Sequence, residues 1–459
     1  MVRGGGLEGR SSYDPFVYYG AAAAFTTGHL PYRDFLLLHP PGILLVLAPF
    51  ALLGAVAGDP TGMAAARLAF MAMGGASAAL IYVVLRRRRV AAVTGALLYA
   101  VWFPAFYVER DVRLEAVATV LLLLSLVVVE RLGDVRHRLR WAAIAGALVG
   151  FTVVVKVWGV LPVAVVVVWL ALRHGLRVAA AALAGAAGIV VAVVAPFLAA
   201  APNLFAMVVL DQVGRPRSPL PWQHRLQAIL GLGPVPQESV LPWLVVAGCL
   251  TLVALVLGLL SRQGRLHVAL ALAGGVALFA APAWYPHYAA FVAAPLCLLY
   301  GNAAGIMIGW VRSQRLRLTA TSALVMGLVA AQAVLLGQTA GGRFPGRELA
   351  GILRDSPGCV TSDRTAALVL TDTLRRNIAR GCPIVIDILG FKFIGQAADP
   401  SPAAAARRFQ TLLVDYLADG NSAVLVSLQP QDFAPELRAR VASWQLVGSV
   451  GRYQVRRPG

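Results

Sequence analysis

Four acidic residues, Asp14, Asp34, Asp111 and Glu115, and four basic ones, Arg110, Arg113, Lys156 and His287, stand where long apolar segments end or turn. Ionisable groups at membrane depth are costly and count as functional candidates by default. A carboxylate so placed can take the proton of an acceptor hydroxyl as its oxygen attacks an activated carbon, which is the chemistry of sugar transfer. The basic groups can neutralise a phosphate or pyrophosphate leaving group carried by a lipid, because charge developing at the bilayer edge needs fixed cations or donors. Taken singly, each acid reads first as a solvated loop carboxylate or as an ion-pair partner of Arg110 or Arg113. Taken jointly, beside a membrane, they read as a site.

Lys156 is the sharpest of the cations, since no acid lies near it in Lys156-Val157-Trp158-Gly159. A lysine snorkelling to the interface is the competing account. His287 is flanked by Tyr285 and Tyr288, and an aromatic interface belt explains that motif equally well. His39-Pro40-Pro41-Gly42 reads as a turn that lays the next helix on the membrane, with His39 as a ligand the weaker alternative. A divalent metal held by Asp14 with Asp111 or Glu115 stays open, although no tight ligand spacing supports it.

These residues need a scaffold, and composition says which kind. The chain has 459 residues, 59% of them hydrophobic and 13% charged, with a mean hydropathy of +0.74. That is the usage of a polytopic membrane protein. The net charge of +19 would suggest nucleic acid in a soluble protein, but the arginines fall mostly in short loops between apolar segments, where they orient helices. Nucleic-acid binding is set aside.

A spanning helix needs about 20 apolar residues. Candidates run over 64–85, 90–107, 115–131, 141–155, 157–172, 177–200, 240–261, 266–283, 289–311 and 318–337, ten in all. The pair beside Lys156 is short, which predicts broken or tilted helices meeting at a turn over 155–158. Residues 41–57 read as a helix lying at the interface. The loops holding Arg86 to Arg89, then Arg131, Arg136, Arg138 and Arg140, then Arg173 and Arg177, then Arg262 and Arg265, then Arg312, Arg315 and Arg317 carry fifteen arginines. They alternate along the chain, so all can be cytoplasmic. The intervening loops carry only Arg110, Arg113, Lys156, Arg215, Arg217 and Arg225. This orientation puts residues 14–39, the Asp111 cluster, the Lys156 turn, His287 and the C-terminus on the extracytoplasmic face. The polar candidates therefore share one side, although the loops that set the orientation are different ones.

The start of the chain shows no cleavable signal peptide. Residues 13–19 read as a loop that should follow a membrane helix, so an original first helix is expected to be missing. The expected domains are 1–337, with an outer loop over 1–63 and membrane helices over about 64–337, and an extracytoplasmic α/β domain over 338–459. In the latter, helical patterns at 347–354, 365–379, 403–417 and 435–444 alternate with apolar strand-like runs at 359–362, 383–387, 423–427 and 447–455. It has no Gly-rich phosphate loop of the kind nucleotides require. Cys249 and Cys297 lie in apolar runs and read as small hydrophobes. Cys359 and Cys382 precede strand-like segments, where a disulfide and two free buried thiols are equal readings.

The acidic residue in the first outer loop, the aromatic-rich stretch, the His39-Pro40-Pro41 turn, the Arg110-Asp111-Val112-Arg113-Leu114-Glu115 segment and the intramembrane Lys156-Val157-Trp158-Gly159 together resemble the GT-C superfamily. The resemblance covers residues 13–337 and is nearest to bacterial relatives of the protein O-mannosyltransferases and of the lipid A aminoarabinose transferase. It implies a GT-C-like membrane glycosyltransferase of about ten transmembrane helices with an outer C-terminal domain. It also implies a polyprenyl-phosphate-linked sugar donor, mannose or arabinose-like, and inversion at the anomeric carbon. By position Asp14 matches the family's base, within Asp14-Pro15-Phe16 rather than an Asp-Glu pair, and Asp34 is the reserve. Asp111 matches the second-loop acid, while Arg110, Arg113 and Lys156 correspond to groups around the lipid phosphate; on the reading of the residues themselves His287 joins them, with His39, Glu115 and Tyr288 in support. The implied acceptor is an envelope glycan, lipid or protein at a bacterial cytoplasmic membrane. A transporter or flippase of lipid-linked sugars, and an inactive glycan-binding scaffold, are the competing classes. Internal repeats and mid-membrane polar residues would mark the transporter.

Overall fold

In the computed structural model the described residues are all but 1–5, 8, 10–11, 134–135, 216, 219, 314, 317–318, 321, 324–325, 328–329, 331–343, 395–401 and 427–433. Helices named here are α1 (Asp14–Phe25), α2 (Gly42–Ala57), α3 (Asp59–Leu85), α4 (Arg89–Val101), α5 (Phe103–Glu109), α6 (Leu114–Arg131), α7 (Arg138–Val155), α8 (Val160–His174), α9 (Leu176–Ala200), α10 (Trp222–Ile229), α11 (Val240–Leu260), α12 (Arg262–Ala280), α13 (Ala293–Trp310), α14 (Gly346–Arg354), α15 (Thr365–Leu370), α16 (Leu374–Ala379), α17 (Pro402–Ala418) and α18 (Pro435–Ala442). The strands are β1 (Val360–Ser362), β2 (Ser422–Leu425), β3 (Gln445–Val450) and β4 (Tyr453–Arg457).

Seven described helices are long and apolar enough to cross a membrane, or eight if α4 and α5, bent by 59°, count as one span. The expected number was about ten. The difference has two sources. Helix α6 has the length, but Glu115, Glu130 and Arg131 lie within its 18 residues, which makes it more polar than an ordinary span. The span expected over 318–337 lies for the most part outside the described residues.

The chain divides into two compact units. One gathers Met1–Leu68, Ala195–Arg215 and Gly341–Gly459; the other gathers Ala69–Val194 and Pro216–Ala340. In the second unit the helices close on one another through small residues. A Cβ on Gly146 would stand 1.8 Å from the Ala182 carbonyl oxygen, and one on Gly185 would stand 2.0 Å from that of Ala143. Lipid gives helices no hydrophobic reason to associate, so close backbone approach and dispersion have to hold them. The outward side of α11 exposes Leu241, Val245, Leu252, Leu259 and Leu260. In water such a stripe would be a large apolar patch; in a bilayer it is the lipid-facing surface.

Helix α7 stops at Val155, Lys156 is extended (φ −149°, ψ 126°), and one turn of 3-10 helix over Val157–Gly159 leads into α8. Gly159 is required there, because a Cβ would lie 2.4 Å from the Thr152 carbonyl carbon. The expected turn over 155–158 thus falls on Lys156 itself.

The first unit carries the sheet, in the order β1-β2-β4-β3, with β1 parallel to β2 and the other pairs antiparallel. Helices α17 and α18 cover it through Phe409, Leu413, Leu417 and Val441, joined by Trp444 just after α18, and Tyr13 packs against this core. Three details differ from the sequence-based expectation. The run 383–387 is not a strand, the run 447–455 is a hairpin turned at Gly451 (φ 55°), and the 365–379 helix is two helices separated at Asp372 (φ 56°). Helix α1 is buried along most of its length, and Gly20 lets it pack against Thr365, Leu374 and Ile386, the nearest of which would stand 3.2 Å from an added Cβ.

Candidate functional site

The second unit brings the charged residues of the α5–α6 connection onto the Lys156 break and the 3-10 turn at Pro286–Val292. Helix α5 ends at Glu109, the chain turns through Arg110 to Arg113, and α6 opens with Glu115 in its first turn. Asp111, Arg113 and Glu115 are all buried. The Asp111 carboxylate accepts the Val112 N–H at 3.0 Å, which fixes it against the turn. The Arg113 guanidinium Nη1 lies 3.3 Å from His287 Nδ1. Arginine can only donate, so Nδ1 accepts in this contact and the ring proton resides on Nε2. Arg110 and Arg113 lie over the Tyr107 ring, 4.9 and 5.9 Å from its centroid.

Lys156 makes a buried ion pair with Glu115. Its Nζ also sits 4.1 Å from the Tyr288 ring centroid and 4.5 Å from that of Trp158, inside an aromatic box. Tyr288 in turn packs edge-on to Trp158, His287 and Trp284, with Tyr285 stacked on His287. The side chains of Tyr285, His287 and Tyr288 therefore organise the cation group. Arg225 is different. It is buried and donates to the carbonyls of Leu278, Phe279 and Ala281, which closes the C-terminal end of α12.

The first unit holds the other candidates. Asp14 is half-buried in the first turn of α1, after Tyr13 at the N-cap and before Pro15, where the helix dipole favours a negative charge. Asp34 is exposed and gripped by Arg33, with contacts of 2.8 and 2.9 Å, and by the Leu30 N–H at 2.7 Å. The Arg33 hydrogen bonds hold its carboxyl down to about 2, so it is a weak proton acceptor. His39 lies edge-on to Tyr18 at 5.1 Å, and its carbonyl accepts the Tyr32 hydroxyl at 2.7 Å. His39-Pro40-Pro41 is the turn into α2. Cys359 and Cys382 form a disulfide with Cα atoms 5.7 Å apart, while Cys297 is buried and Cys249 exposed. Among the described residues no group of three or more His, Cys, Asp and Glu side chains could hold a metal ion.

Sequence reasoning missed two acids. Asp387 is buried, and its Oδ1 accepts the Tyr13 hydroxyl at 3.0 Å and the Gly390 N–H at 2.9 Å. Burial first, and the nearby Asp14 charge after it, push its carboxyl up to about 6. Asp59 is fully buried and its Oδ1 accepts Arg375 Nε at 2.8 Å and the Tyr19 hydroxyl at 3.1 Å. Each acid ends or starts an ordinary-looking segment, and Tyr13 and Arg375 lie more than 300 residues from their partners Asp387 and Asp59.

Residues 38–199 match the family described as dolichyl-phosphate-mannose-protein mannosyltransferase. No curated protein sequence matches the chain. Among solved structures, ArnT from Cupriavidus metallidurans in the apo state is similar with a TM-score of 0.65 at 14% identity, covering 97% of this chain and 93% of that one. The same protein bound to undecaprenyl phosphate gives 0.62 at 15% identity, covering 98% and 94%. The archaeal oligosaccharyltransferase AglB from Archaeoglobus fulgidus, in complex with an inhibitory peptide and a dolichol-phosphate, gives 0.55 at 12% identity, covering 92% of this chain and 66% of that one.

Proposed function

We propose that this chain, a GT-C superfamily member related to the protein mannosyltransferases and to ArnT, is an integral-membrane glycosyltransferase. It moves a mannose or arabinose-like sugar from a polyprenyl-phosphate donor to an envelope glycan, lipid or protein acceptor on the extracytoplasmic face. The observation that carries this reading is the buried Arg113–His287 contact, 3.3 Å long, in a unit of membrane-spanning helices that also buries Lys156. Burying an arginine beside a histidine is costly in a lipid-surrounded unit, and a lipid-borne phosphate offsets that cost; Lys156 is already matched by Glu115.

The chemistry balances as a single displacement. A carboxylate takes the proton of the acceptor hydroxyl, the hydroxyl oxygen attacks the anomeric carbon from the face opposite the phosphate, and the carbon–oxygen bond to phosphate breaks with inversion. The donor phosphate carries one negative charge as a diester and two as the departing monoester. Arg113, the Nε2 proton of His287, Arg110 and Lys156 are the groups that meet this extra charge. Glu115 holds Lys156 in place and Tyr288 walls it. Asp14 is the base, with Asp111 next in order; Asp34 is set aside by its grip on Arg33.

The test is turnover of polyprenyl-phosphate mannose and polyprenyl-phosphate arabinose in proteoliposomes holding the parent or Asp14→Asn. Turnover by the parent that is lost in the variant supports the enzyme and its base. Equal turnover moves the base to Asp111, and silence of the parent with both donors overturns the reading for these two sugars.

A further inference from the structure

We propose that Asp387, acting through Tyr13, is a positioning residue for the Asp14 carboxylate, so that the C-terminal domain is part of the catalytic apparatus. This rests on the reading of Asp14 as the base. Tyr13 is the N-cap of α1 and the immediate neighbour of Asp14, and its side chain is anchored elsewhere. The hydroxyl donates to Asp387 Oδ1 at 3.0 Å and accepts the Leu389 N–H at 2.8 Å. A phenol bonded as both donor and acceptor has no rotational freedom left. The Tyr13 ring also packs against the hydrophobic core of the sheet-bearing domain.

Asp387 is itself immobile. Its Oδ1 accepts the Gly390 N–H as well, and Gly390 is where a Cβ would collide with the carboxylate at 2.5 Å. The far side of α1 is fixed too, since Tyr19 donates to Asp59, which Arg375 grips and whose N–H donates to Asp372 at 2.8 Å. With residue 13 held from one side and Pro15 restricting the Asp14 backbone from the other, the point from which the Asp14 side chain springs is fixed. A base misplaced by about 1 Å costs about 100-fold in rate.

The charged surroundings of Asp387 are the Asp14 carboxylate and Arg215, whose guanidinium lies 4.3 Å over the Phe393 ring; Arg364 acts on Tyr13. Nothing in tethering a folded domain requires a buried acid next to the base. A residue that orients Asp14 does require one fixed acceptor at this point.

The experiment compares the parent, Asp14→Asn, Tyr13→Phe, Asp387→Ala and Asp387→Asn in proteoliposomes with the same two donors. Thermal unfolding of each is followed alongside. Tyr13→Phe and Asp387→Ala should lower kcat by about 10- to 100-fold with donor KM unchanged. Asp387→Asn, which keeps the acceptor oxygen, should recover most of that loss. Parent-like kcat in Tyr13→Phe and Asp387→Ala, or losses that track lost folded protein or a raised KM, would overturn the proposal. If Asp14→Asn turns over like the parent, the base assignment fails instead, and silence of the parent removes base and positioning residue together.

Discussion

Glu115, in the first turn of α6, neutralises Lys156, which stands at the break between α7 and α8. The pair ties two helical segments together where the backbone of one is interrupted. It also explains how a lysine with no acid near it in sequence is tolerated at 8% exposure.

The pair should therefore behave as a unit. Removing one member of a buried ion pair strands the other and costs about 3–5 kcal/mol, while removing both with apolar or neutral replacements costs far less than the sum. Thermal unfolding in detergent of Glu115→Gln, Lys156→Met and the double variant should show strong non-additivity. Simple addition of the two losses would mean that the residues do not depend on each other.

Arg113 and Arg225 are both buried arginines, and they should separate by kinetics. Arg113→Gln should lower kcat/KM for the donor by about 100-fold, and Arg113→Lys should restore little of it because the planar fork is lost. Arg225→Ala should instead lower the unfolding temperature, since it abandons three carbonyls at the end of α12, and leave the donor KM alone. A KM effect at Arg225 would contradict this division.

Asp34, the reserve for Asp14 as base, differs from it in environment. Its carboxylate is exposed, ionised and committed to Arg33 and the Leu30 N–H. Asp34→Asn should keep kcat within about threefold of the parent, a change too small for a lost base. A loss as deep as that of Asp14→Asn would exchange their roles.

Much of the membrane framework was legible because length and apolarity alone decide a span, and the Lys156 turn was legible because the flanking runs are too short. Helix α6 was legible as well, over 115–131, although its own charges set it apart from an ordinary span. In the sheet-bearing C-terminal part, periodicity gave helices at 347–354 and 403–417 but could not see that Asp372 adopts a left-handed φ and splits 365–379 in two. Nor could it see that the carbonyl of Ile386 accepts the Thr365 hydroxyl and that 383–387 stays outside the sheet. The candidate site was legible where chemistry is local, as in Arg110 to Glu115. Contacts such as Tyr13–Asp387, 374 residues apart, leave no local trace.

The disulfide between Cys359 and Cys382 closes a loop of 23 residues. In the chain-entropy account a loop of that size stabilises by about 3 kcal/mol. The Cys359→Ser and Cys382→Ser double variant should unfold several degrees lower, and reductant should lower the parent to the same temperature. Cys249 and Cys297 offer no pair to confuse the result, since one is exposed and the other buried. A parent indifferent to reductant would show that the bond contributes nothing to the fold.

Asp387 gives the fold a pH dependence whose sign is fixed by its surroundings. Its carboxyl rises to about 6, chiefly by burial and then by the Asp14 charge, against a value near 3.8 when exposed. The folded chain therefore holds this proton more tightly than the unfolded chain between those two values, so stability falls as pH rises through that window and stays lower above it. At one unit per about 1.4 kcal/mol, the loss is up to about 3 kcal/mol. Asp387→Asn cannot ionise and keeps the oxygen that accepts from Tyr13 and Gly390, so it should gain on the parent in thermal unfolding at pH 7.5 and match it more closely at pH 4. Equal differences at both pH values would mean that Asp387 does not titrate in this range and that Asp14 does not act on it.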